Sequence, residues 1–385
     1  MRPNFVFVLA GLVAIMSPVT LAAPVPTNAP APSVDASTVA GPSATRRWSN
    51  LPPIPGLTEQ FGDYRGRFSA LIDPKPIKAA ALTDLDDDEE VLGLTFHGES
   101  RAYPLRFIAW HHIVNDTVAG HSVLVTYCSV CNSGVAFDPE WDGKRHLFDV
   151  FGLYRGVMAM YDKSNNTIYA HIAGEAVFGP DKGKSLTAFP VVNVTWGEWK
   201  KLHPQTTTPN WDAAYRKYYQ ERVASGMAYM PPGFAETMKG LRDDRLASNA
   251  LVLGVRIDGK ERVYPYDTLE KAADVVQETV AGTPIVCFYT PTPQTGAAFD
   301  RRLDGATLDF TRNPDDKTLF QDKGTHSNWT IEGACVSGAM QGKQLTRVYS
   351  LQAQWYGWSA YFPETTIYSP FGLMFNGAVP KHAAP

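Results

Sequence analysis

The sequence predicts an α+β protein made of two tandem, related β-rich domains that are joined by a helical connector. Three observations lead to this fold class. A long segment recurs in the same order later in the chain, short apolar runs rich in Val and Ile alternate with turn signals in both copies, and the most helical stretch lies between the copies. The repeat is too long for a solenoid and is typical of two tandem domains.

Residues 1–23 predict a secretory signal peptide. Arg2 supplies a positive charge, an apolar run follows from Phe5 to Ile15, and small residues end at Ala23. The run is shorter than the roughly 20 residues that span a bilayer, although an uncleaved anchor is the alternative interpretation. No later segment has the length and apolar character of a span. We therefore expect a periplasmic or secreted protein whose mature chain has no membrane span.

Residues 24–49, which are rich in Pro and Ala, predict a disordered linker because they cannot bury enough apolar surface to fold. The net charge of −4 and the lack of a basic run argue against nucleic acid as a partner. The sequence has no glycine loop of the kind that binds nucleotides, so we expect no nucleotide cofactor. The expected partner is an unidentified extracytoplasmic protein or a small molecule.

The internal repeat divides the rest of the chain. The first copy covers 50–208, a connector covers 209–248, and a degenerate second copy covers 249–385. Chance would produce any single match but not the ordered set. The matching pairs are Val91-Leu92-Gly93-Leu94 with Val252-Leu253-Gly254-Val255, Tyr103-Pro104 with Tyr264-Pro265, Gly134–Asp138 with Gly296–Asp300, and Trp196 and Trp199 with Trp355 and Trp358.

Each copy is expected to contain mostly strands and one short helix. The predicted strands are His121–Thr126 in the first copy and Thr283–Phe288 in the second. The predicted hairpin turns are Asp142-Gly143 in the first copy and Asp304-Gly305 in the second. The predicted short helices are Leu105–Val114 in the first copy and Thr268–Val276 in the second. Between the copies, Asn210–Ala247 is the predicted helical connector, which is interrupted at Pro231-Pro232.

Cys128 and Cys131 form a Cys-x-x-Cys pair directly after a predicted strand, in a chain with four cysteines. The spacing lets two thiolates hold one metal ion, or lets them close and open a disulfide. The residues that follow are poor helix formers, which argues against a thioredoxin-type site, and no His follows, so haem attachment is not indicated. The second copy has Thr290 and Pro293 at these positions, so the pair is not needed to hold the fold.

Imidazole and thioether side chains of the first copy could complete a metal site. Two alanines replace His111 and His112 in the second copy. Adjacent residues on a helix point about 100° apart, so one of the two histidines faces the site, or else they pack or cap and bind nothing. Met160, with Met158 on the same face of a strand, could add a thioether or could fill the core.

These residues leave three hypotheses for the function. The first is an extracytoplasmic protein that binds a soft metal ion, copper or else zinc, through Cys128, Cys131 and His111, with His112 and Met160 as further ligands. The second is a thiol–disulfide oxidoreductase in which Cys128 attacks, Cys131 resolves and His111 is the base. The third is a non-catalytic interaction module in which the cysteine pair is a structural clip.

Three other residues attract attention for their chemistry. His171 is a weaker candidate, for which a surface or hydrogen-bonding role is expected. Cys287 lies in an apolar run and should be buried, while Cys335 lies in a loop of small residues. The spacing of Cys287 and Cys335 does not fix whether they pair.

Many of these segments together resemble a known family. They are Arg101–Leu105, Trp110-His111, Ile113–Asp116, Thr126–Asn132, Gly134–Asp138, Met160–Asp162, Thr195-Trp196, Trp199 and His203-Pro204. The chain resembles the largely bacterial family catalogued as domain of unknown function number 3179, from about Val91 to Pro204. The resemblance implies secretion and the importance of His111, Cys128 and Cys131, but it implies no reaction. The chain departs from the family at His112, where Glu is usual, and at His171, where Gln is expected.

Overall fold

Strands dominate the structure and its helices are few and short, so the predicted α+β, β-rich class is confirmed. The computed structural model describes residues 54–211, 213–215, 219, 230–231, 233–272 and 275–370, all of which belong to one compact unit. The predicted signal peptide and linker lie outside these residues. Among the helices that are described, none has both the length and the apolar character needed to cross a bilayer.

In the first half of the chain, helices α1 and α2 span Leu105–His111 and Trp196–Leu202, and a 3-10 turn spans Ala79–Ala81. The strands are β1 Phe61–Asp63, β2 Leu71–Ile72, β3 Pro76–Lys78, β4 Glu90–Phe96, β5 Glu99–Pro104, β6 Ile113–Val118, β7 His121–Cys128, β8 Ser133–Phe137, β9 Glu140–Trp141, β10 Lys144–Arg145, β11 Phe148–Tyr154, β12 Val157–Asp162, β13 Ile168–Ala170, β14 Glu175–Phe178, β15 Ala188–Phe189, β16 Val192–Thr195 and β17 Thr207–Pro209.

In the second half, helices α3, α4 and α5 span Phe234–Thr237, Tyr266–Lys271 and Trp355–Tyr361. The strands are β18 Leu251–Ile257, β19 Lys260–Pro265, β20 Val275–Val280, β21 Thr283–Pro291, β22 Gln294–Asp300, β23 Arg302–Leu303, β24 Ala306–Thr307, β25 Phe310–Arg312, β26 Phe320–Asp322, β27 Asn328–Trp329, β28 Cys335–Ser337, β29 Tyr349–Gln354 and β30 Thr366–Ile367. The predicted connector is described in part, and it contains α3 and a 3-10 turn at Ala213–Tyr215.

Every sheet of the second half repeats a strand order that is present in the first half. The order β16-β4-β5-β17 recurs as β29-β18-β19-β30, and β6-β7-β8 recurs as β20-β21-β22. The hairpin β9-β10 recurs as β23-β24, and β11-β12-β13-β14 recurs as β25-β26-β27-β28. The first half adds β1, β2, β3 and β15 at the sheet edges. The recurrence follows the same order as the repeated sequence segments.

The predicted hairpin turns at Asp142-Gly143 and Asp304-Gly305 are confirmed. Both central residues of each turn have positive φ, at 52° and 68° in the first and 50° and 81° in the second. This geometry matches the twist of the flanking strands, and Asp-Gly accommodates it at low cost. Local turn chemistry therefore sets the register of both short hairpins.

The two predicted short helices exist, but their bounds differ from the prediction. The first ends at His111 because His112 takes a left-handed conformation, with φ 60°, and Ile113 pairs in the sheet. The second ends at Lys271, and Val276 belongs to β20 rather than to a helix. In both places strand pairing by β-branched residues overrides the helical pattern.

Buried tryptophans account for the repeated glycines. The Trp199 ring lies over Gly93 and the Trp358 ring over Gly254, so closely that a Cβ on either glycine would overlap the indole. Each indole N–H donates to a threonine hydroxyl, at 2.8 and 3.0 Å. These residues serve the fold in both halves.

The motif around Arg101 is also structural. Arg101 and Tyr103 on β5 both donate to the buried Asp116 carboxylate, at 2.8 Å each. In the second half the same arrangement is formed by Arg262, Tyr264 and Glu278. A buried carboxylate needs such donors because an unpaired buried charge is strongly unfavourable.

The two halves share their hydrophobic cores. One cluster packs Cys128 and Met160 of the first half with Trp355 and Trp358 of the second. Another packs Trp199 with Phe288 and Trp329. Neither half therefore buries its apolar faces alone.

Candidate functional site

The cysteine pair lies at the tip of a buried hairpin. Strand β7 ends at Cys128 and β8 begins at Ser133, which leaves a four-residue connection. Asn132 closes the turn with a φ of 48°, a conformation that Asn tolerates better than most residues. The Tyr127 hydroxyl donates a hydrogen bond to Asn132 Oδ1 at 3.0 Å. Cys128 is 1% exposed and Cys131 is fully buried.

The two thiols have opposite acidities. Burial alone would raise the pKa of Cys128, but hydrogen bonds from the Cys131 thiol and from the backbone amides of Cys131, Met158 and Val130 outweigh burial and lower that pKa. Burial raises the pKa of Cys131 well above the usual value, and its bond to Cys128 raises it further. Cys128 is therefore the more acidic thiol of the pair.

A chain of hydrogen bonds leads away from Cys131. Its sulfur lies 3.0 Å from the Ser133 hydroxyl, which lies 2.8 Å from His171 Nε2. His171 Nδ1 lies 2.8 Å from the Thr126 hydroxyl, which donates to the carbonyl of Val135 at 3.1 Å. Because Thr126 donates to that carbonyl, its oxygen accepts from Nδ1–H, and Nε2 is left to accept from Ser133.

The chain ends on a neutral histidine. Burial lowers the pKa of His171 to about 3, and the neighbouring His112 also contributes to the lowering. A neutral imidazole can accept a proton, and here it is aligned through Ser133 with the Cys131 sulfur. Ser133 therefore links the Cys131 thiol to an imidazole that can accept a proton.

The second half of the chain covers the cysteine turn. The backbone N–H of Gln354 donates to the Cys131 carbonyl at 2.8 Å. Helix α5 then brings Gly357 against the turn, where a Cβ would lie 3.0 Å from Cys131 Cβ and 3.8 Å from its sulfur. The Tyr356 side chain is buried in the same core cluster as Cys128 and Cys131, and burial raises the pKa of its phenol well above the usual value.

His111 is held away from a ligand role by other partners. Its Nδ1 lies 2.8 Å from the Ser69 carbonyl and its Nε2 contacts the Tyr219 hydroxyl. The rings of Tyr215 and Trp211 also pack on it. Within the described residues, no three His, Cys, Asp or Glu side chains are grouped so that they could hold a metal ion.

The other predicted ligands lie nearer to the pair. His112 is buried, which lowers its pKa to about 4, and its Nδ1–H donates to the Tyr127 carbonyl at 3.0 Å. Met158 and Met160 are buried in the same core cluster as Cys128 and Cys131. A thioether therefore lies within the core that surrounds the sulfurs, whereas His112 is fixed by the backbone.

Cys287 and Cys335 play no part in this arrangement. All four cysteines are free thiols. Cys287 and Cys335 are buried in different core clusters, and burial raises the pKa of both. The pairing that the sequence left open is not formed.

Sequence reasoning missed Ser133, Thr126 and the contributions of the second half. In the second half, the strand position that matches Thr126 is Phe288, which has no hydroxyl, and this difference was a signal that could have been found. His171 was expected to form hydrogen bonds, and it does so from full burial. No pattern in the sequence predicted that helix α5 would contact the cysteine turn.

Comparison with known proteins gives a family. Among curated proteins and among solved structures, none matches the chain. The model of a family described as "protein of unknown function (DUF3179)" matches residues 65–365, which extends the resemblance across both halves of the fold. Since this match covers most of its length, the chain belongs to the DUF3179 family of proteins of unknown function.

Proposed function

We propose that Cys128 and Cys131 form a reversible dithiol–disulfide couple and that the protein is an extracytoplasmic thiol–disulfide oxidoreductase. The observation that carries this proposal is the asymmetry of the two sulfurs. Hydrogen bonds from N–H and S–H donors lower the pKa of Cys128, whereas burial and the bond to Cys128 raise the pKa of Cys131. Attack on a disulfide requires a thiolate, and resolution requires a second thiol within reach.

The reaction proceeds in two exchanges. The Cys128 thiolate attacks a substrate disulfide, a Cys128–substrate disulfide forms, and one substrate thiolate leaves. Cys131 then gives up its proton and attacks the Cys128 sulfur, which breaks the mixed disulfide and releases the second thiolate. The protein dithiol is oxidised and the substrate disulfide is reduced. One leaving thiolate takes the Cys131 proton and the other takes a proton from solvent.

Ser133 and His171 provide the path for the Cys131 proton. The Ser133 hydroxyl lies between Cys131 and His171 Nε2, at 3.0 and 2.8 Å. His171 thus takes the base role that the sequence suggested for His111, whose ring nitrogens are engaged by Ser69 and Tyr219. The imidazole accepts the proton only transiently, because its pKa of about 3 makes it a weak base.

Redox titration tests this function. The full-length protein is equilibrated in a series of glutathione buffers that differ in redox potential. Free thiols are then alkylated and located by mass spectrometry. Cys128 and Cys131 should convert together from dithiol to disulfide, and Cys131→Ser should trap a mixed disulfide on Cys128. Cys335→Ser, which removes a buried thiol outside the site, is the matched control. The proposal fails if Cys128 and Cys131 remain reduced at every redox potential.

A soft metal ion is the second candidate, because thioether sulfur lies in the same core cluster as the thiolates. Two thiolates and Met160 would suit Cu(I), which favours soft sulfur ligands. Zinc normally takes four ligands, and the described residues offer no third His, Cys, Asp or Glu beside the pair. Copper is therefore favoured over zinc for this site.

Metal analysis distinguishes this candidate from the first. Protein purified without chelator is assayed for copper and zinc, and Cu(I) affinity is measured by competition with a chromogenic chelator. Metal binding predicts loss of the ion in Cys128→Ser and weaker retention in Met160→Leu, with Cys335→Ser unchanged. Bound metal that survives the Cys128→Ser and Cys131→Ser changes would contradict it.

We also propose that the two halves arose by internal duplication and that the connector joins them. The recurrence of four strand orders in matching sequence order supports this origin. Secretion is proposed from the first 23 residues alone. Mass measurement of the mature chain from the extracytoplasmic fraction tests it, since the intact N-terminus there would contradict cleavage.

A further inference from the structure

The buried dithiol needs a route by which an electron acceptor reaches it. Cys128 and Cys131 are at most 1% exposed, so a bound acceptor must displace a side chain that covers them. Tyr356 on α5 is a candidate for that side chain, because it packs in the same core cluster as both cysteines and also lines a cleft. It is 7% exposed, and its hydroxyl has no hydrogen-bond partner within the described part of the chain. A buried hydroxyl without a partner is unfavourable unless a ligand or solvent satisfies it.

Tyr356 lines a cleft of about 760 Å³. Its apolar lining comes mainly from Met230, Phe234, Met238 and Leu246. The Phe234 ring meets the Tyr356 ring edge to face, with centroids 5.5 Å apart. The volume falls in the range of small-molecule sites, and thioethers and aromatic rings pack well against a flat aromatic ligand.

The charged residues around this cleft neutralise one another. Arg242 pairs with Asp244 at 2.6 Å, and Arg245 pairs with Asp243 at 2.7 Å. A charged ligand would gain little from groups that are already paired, and it would lose solvation on the apolar lining. The cleft therefore favours an uncharged ligand.

The residues that face the dithiol from α5 differ from those of the matching helix in the first half. Between their paired tryptophans, α2 has Gly197-Glu198 and α5 has Tyr356-Gly357. A Cβ on Gly357 would lie 3.0 Å from Cys131 Cβ, and Tyr356 packs in the core cluster of the cysteines while it also lines the cleft. The second half thus differs from the first at the residue that packs on Cys131 and at the neighbouring residue that lines the cleft.

We propose that this cleft is the acceptor site of the dithiol, that it binds an uncharged aromatic two-electron acceptor, and that Tyr356 donates a hydrogen bond to that acceptor. The inference rests on the redox function proposed above. The dithiol loses two electrons and two protons as its disulfide forms. The acceptor gains them, so that an aromatic disulfide gives two thiols or a quinone gives a hydroquinone.

The test compares acceptors that differ in charge. Oxidation of the reduced full-length protein is followed with dithiodipyridine, an uncharged aromatic disulfide, and with dithiobis(nitrobenzoate), its dianionic counterpart. Each rate is divided by the rate for a small free thiol. The uncharged probe should react at least about tenfold faster on this scale, since its transfer to the apolar lining avoids about 1.4 kcal/mol or more of desolvation. Menadione, an uncharged quinone, forms the second arm and distinguishes a quinone from a disulfide as the acceptor.

Variants of the cleft locate the effect. Met238→Glu should abolish the preference for uncharged probes, whereas Met340→Glu, a half-buried methionine outside the cleft, should retain it. Tyr356→Phe should slow menadione about fivefold, as expected for one lost hydrogen bond. Tyr361→Phe removes a hydroxyl from the same helix and should not slow it.

Each outcome decides one of the two proposals. Equal normalised rates for all probes, or a preference that survives Met238→Glu, would overturn the cleft while leaving the redox couple intact. A wild-type protein that forms no Cys128–Cys131 disulfide with any probe or glutathione buffer would overturn both. A preference that is lost in Met238→Glu and kept in Met340→Glu establishes the site.

Discussion

Two buried histidines should make the stability of the protein fall in mild acid. Burial lowers the pKa of His112 to about 4 and that of His171 to about 3, against about 6.5 in an unfolded chain. Between these values the unfolded chain binds a proton on each imidazole and the folded chain does not. The free energy of unfolding therefore rises with pH in this window, and stability present above about pH 6.5 is lost as pH falls toward the folded values.

The magnitude follows from the two pKa values. Between about pH 7 and pH 5, each histidine should lower the free energy of unfolding by about 2 kcal/mol, or about 4 kcal/mol together. His171→Gln keeps an amide that can bond Ser133 and Thr126 but removes the titrating group. The variant should therefore lose about half of the pH dependence.

Urea unfolding followed by tryptophan fluorescence at a series of pH values measures this slope. His121→Gln, which changes an exposed histidine, is the control and should reproduce the parent profile. A His171→Gln profile as steep as that of the parent would refute the assignment of His171 as a buried neutral base. It would also remove the support that this residue gives to the proton path.

Two further predictions concern packing and charge. Gly357→Ala should destabilise the protein by about 1–3 kcal/mol in urea unfolding, because the Cβ of the new alanine would lie 3.0 Å from Cys131 Cβ. The cost of this overpacking exceeds the gain of about 1 kcal/mol that alanine has over glycine in a helix. A stabilised variant would show that helix α5 can move away from the cysteine turn. Asp116→Asn should cost about 3–5 kcal/mol because it removes the buried counter-charge of Arg101 and leaves only the exposed Glu99 carboxylate, at 4.0 Å. Asp244→Asn, which breaks an exposed ion pair, should cost at most about 1 kcal/mol, and equal losses in the two would contradict the role given to burial.

The parts of the fold that could be predicted from sequence are those set by local chemistry. Asp-Gly turns, alternating apolar strands and the glycines under tryptophans recur in both halves, and each leaves a pattern in the sequence. The helix ends were predicted wrongly because strand pairing with distant residues determines the conformation at His112 and Val275. Pairing with residues far along the chain leaves no short-range pattern.

The site was predictable only as far as the cysteines themselves. His111 attracted attention because the second copy lacks it, but the same loss arises when a residue packs against a segment that only one copy contacts. Tyr215 and Tyr219 of the connector are such contacts. Conversely, Ser133 and Gly357 are small, common residues whose importance depends on what the fold brings beside them.

The shared cores have a consequence for how such a chain can change over generations. A fragment with only the first half would expose the apolar faces that Trp355 and Trp358 now cover. If the halves arose by duplication, the copy without the Cys-x-x-Cys pair could lose its own chemistry but could not be deleted, because it also supplies the Gly357 contact with Cys131. Each half would thus have come to depend on the other, although the two began as equivalent copies. Selection on Cys128 and Cys131 would then extend to residues more than two hundred positions away.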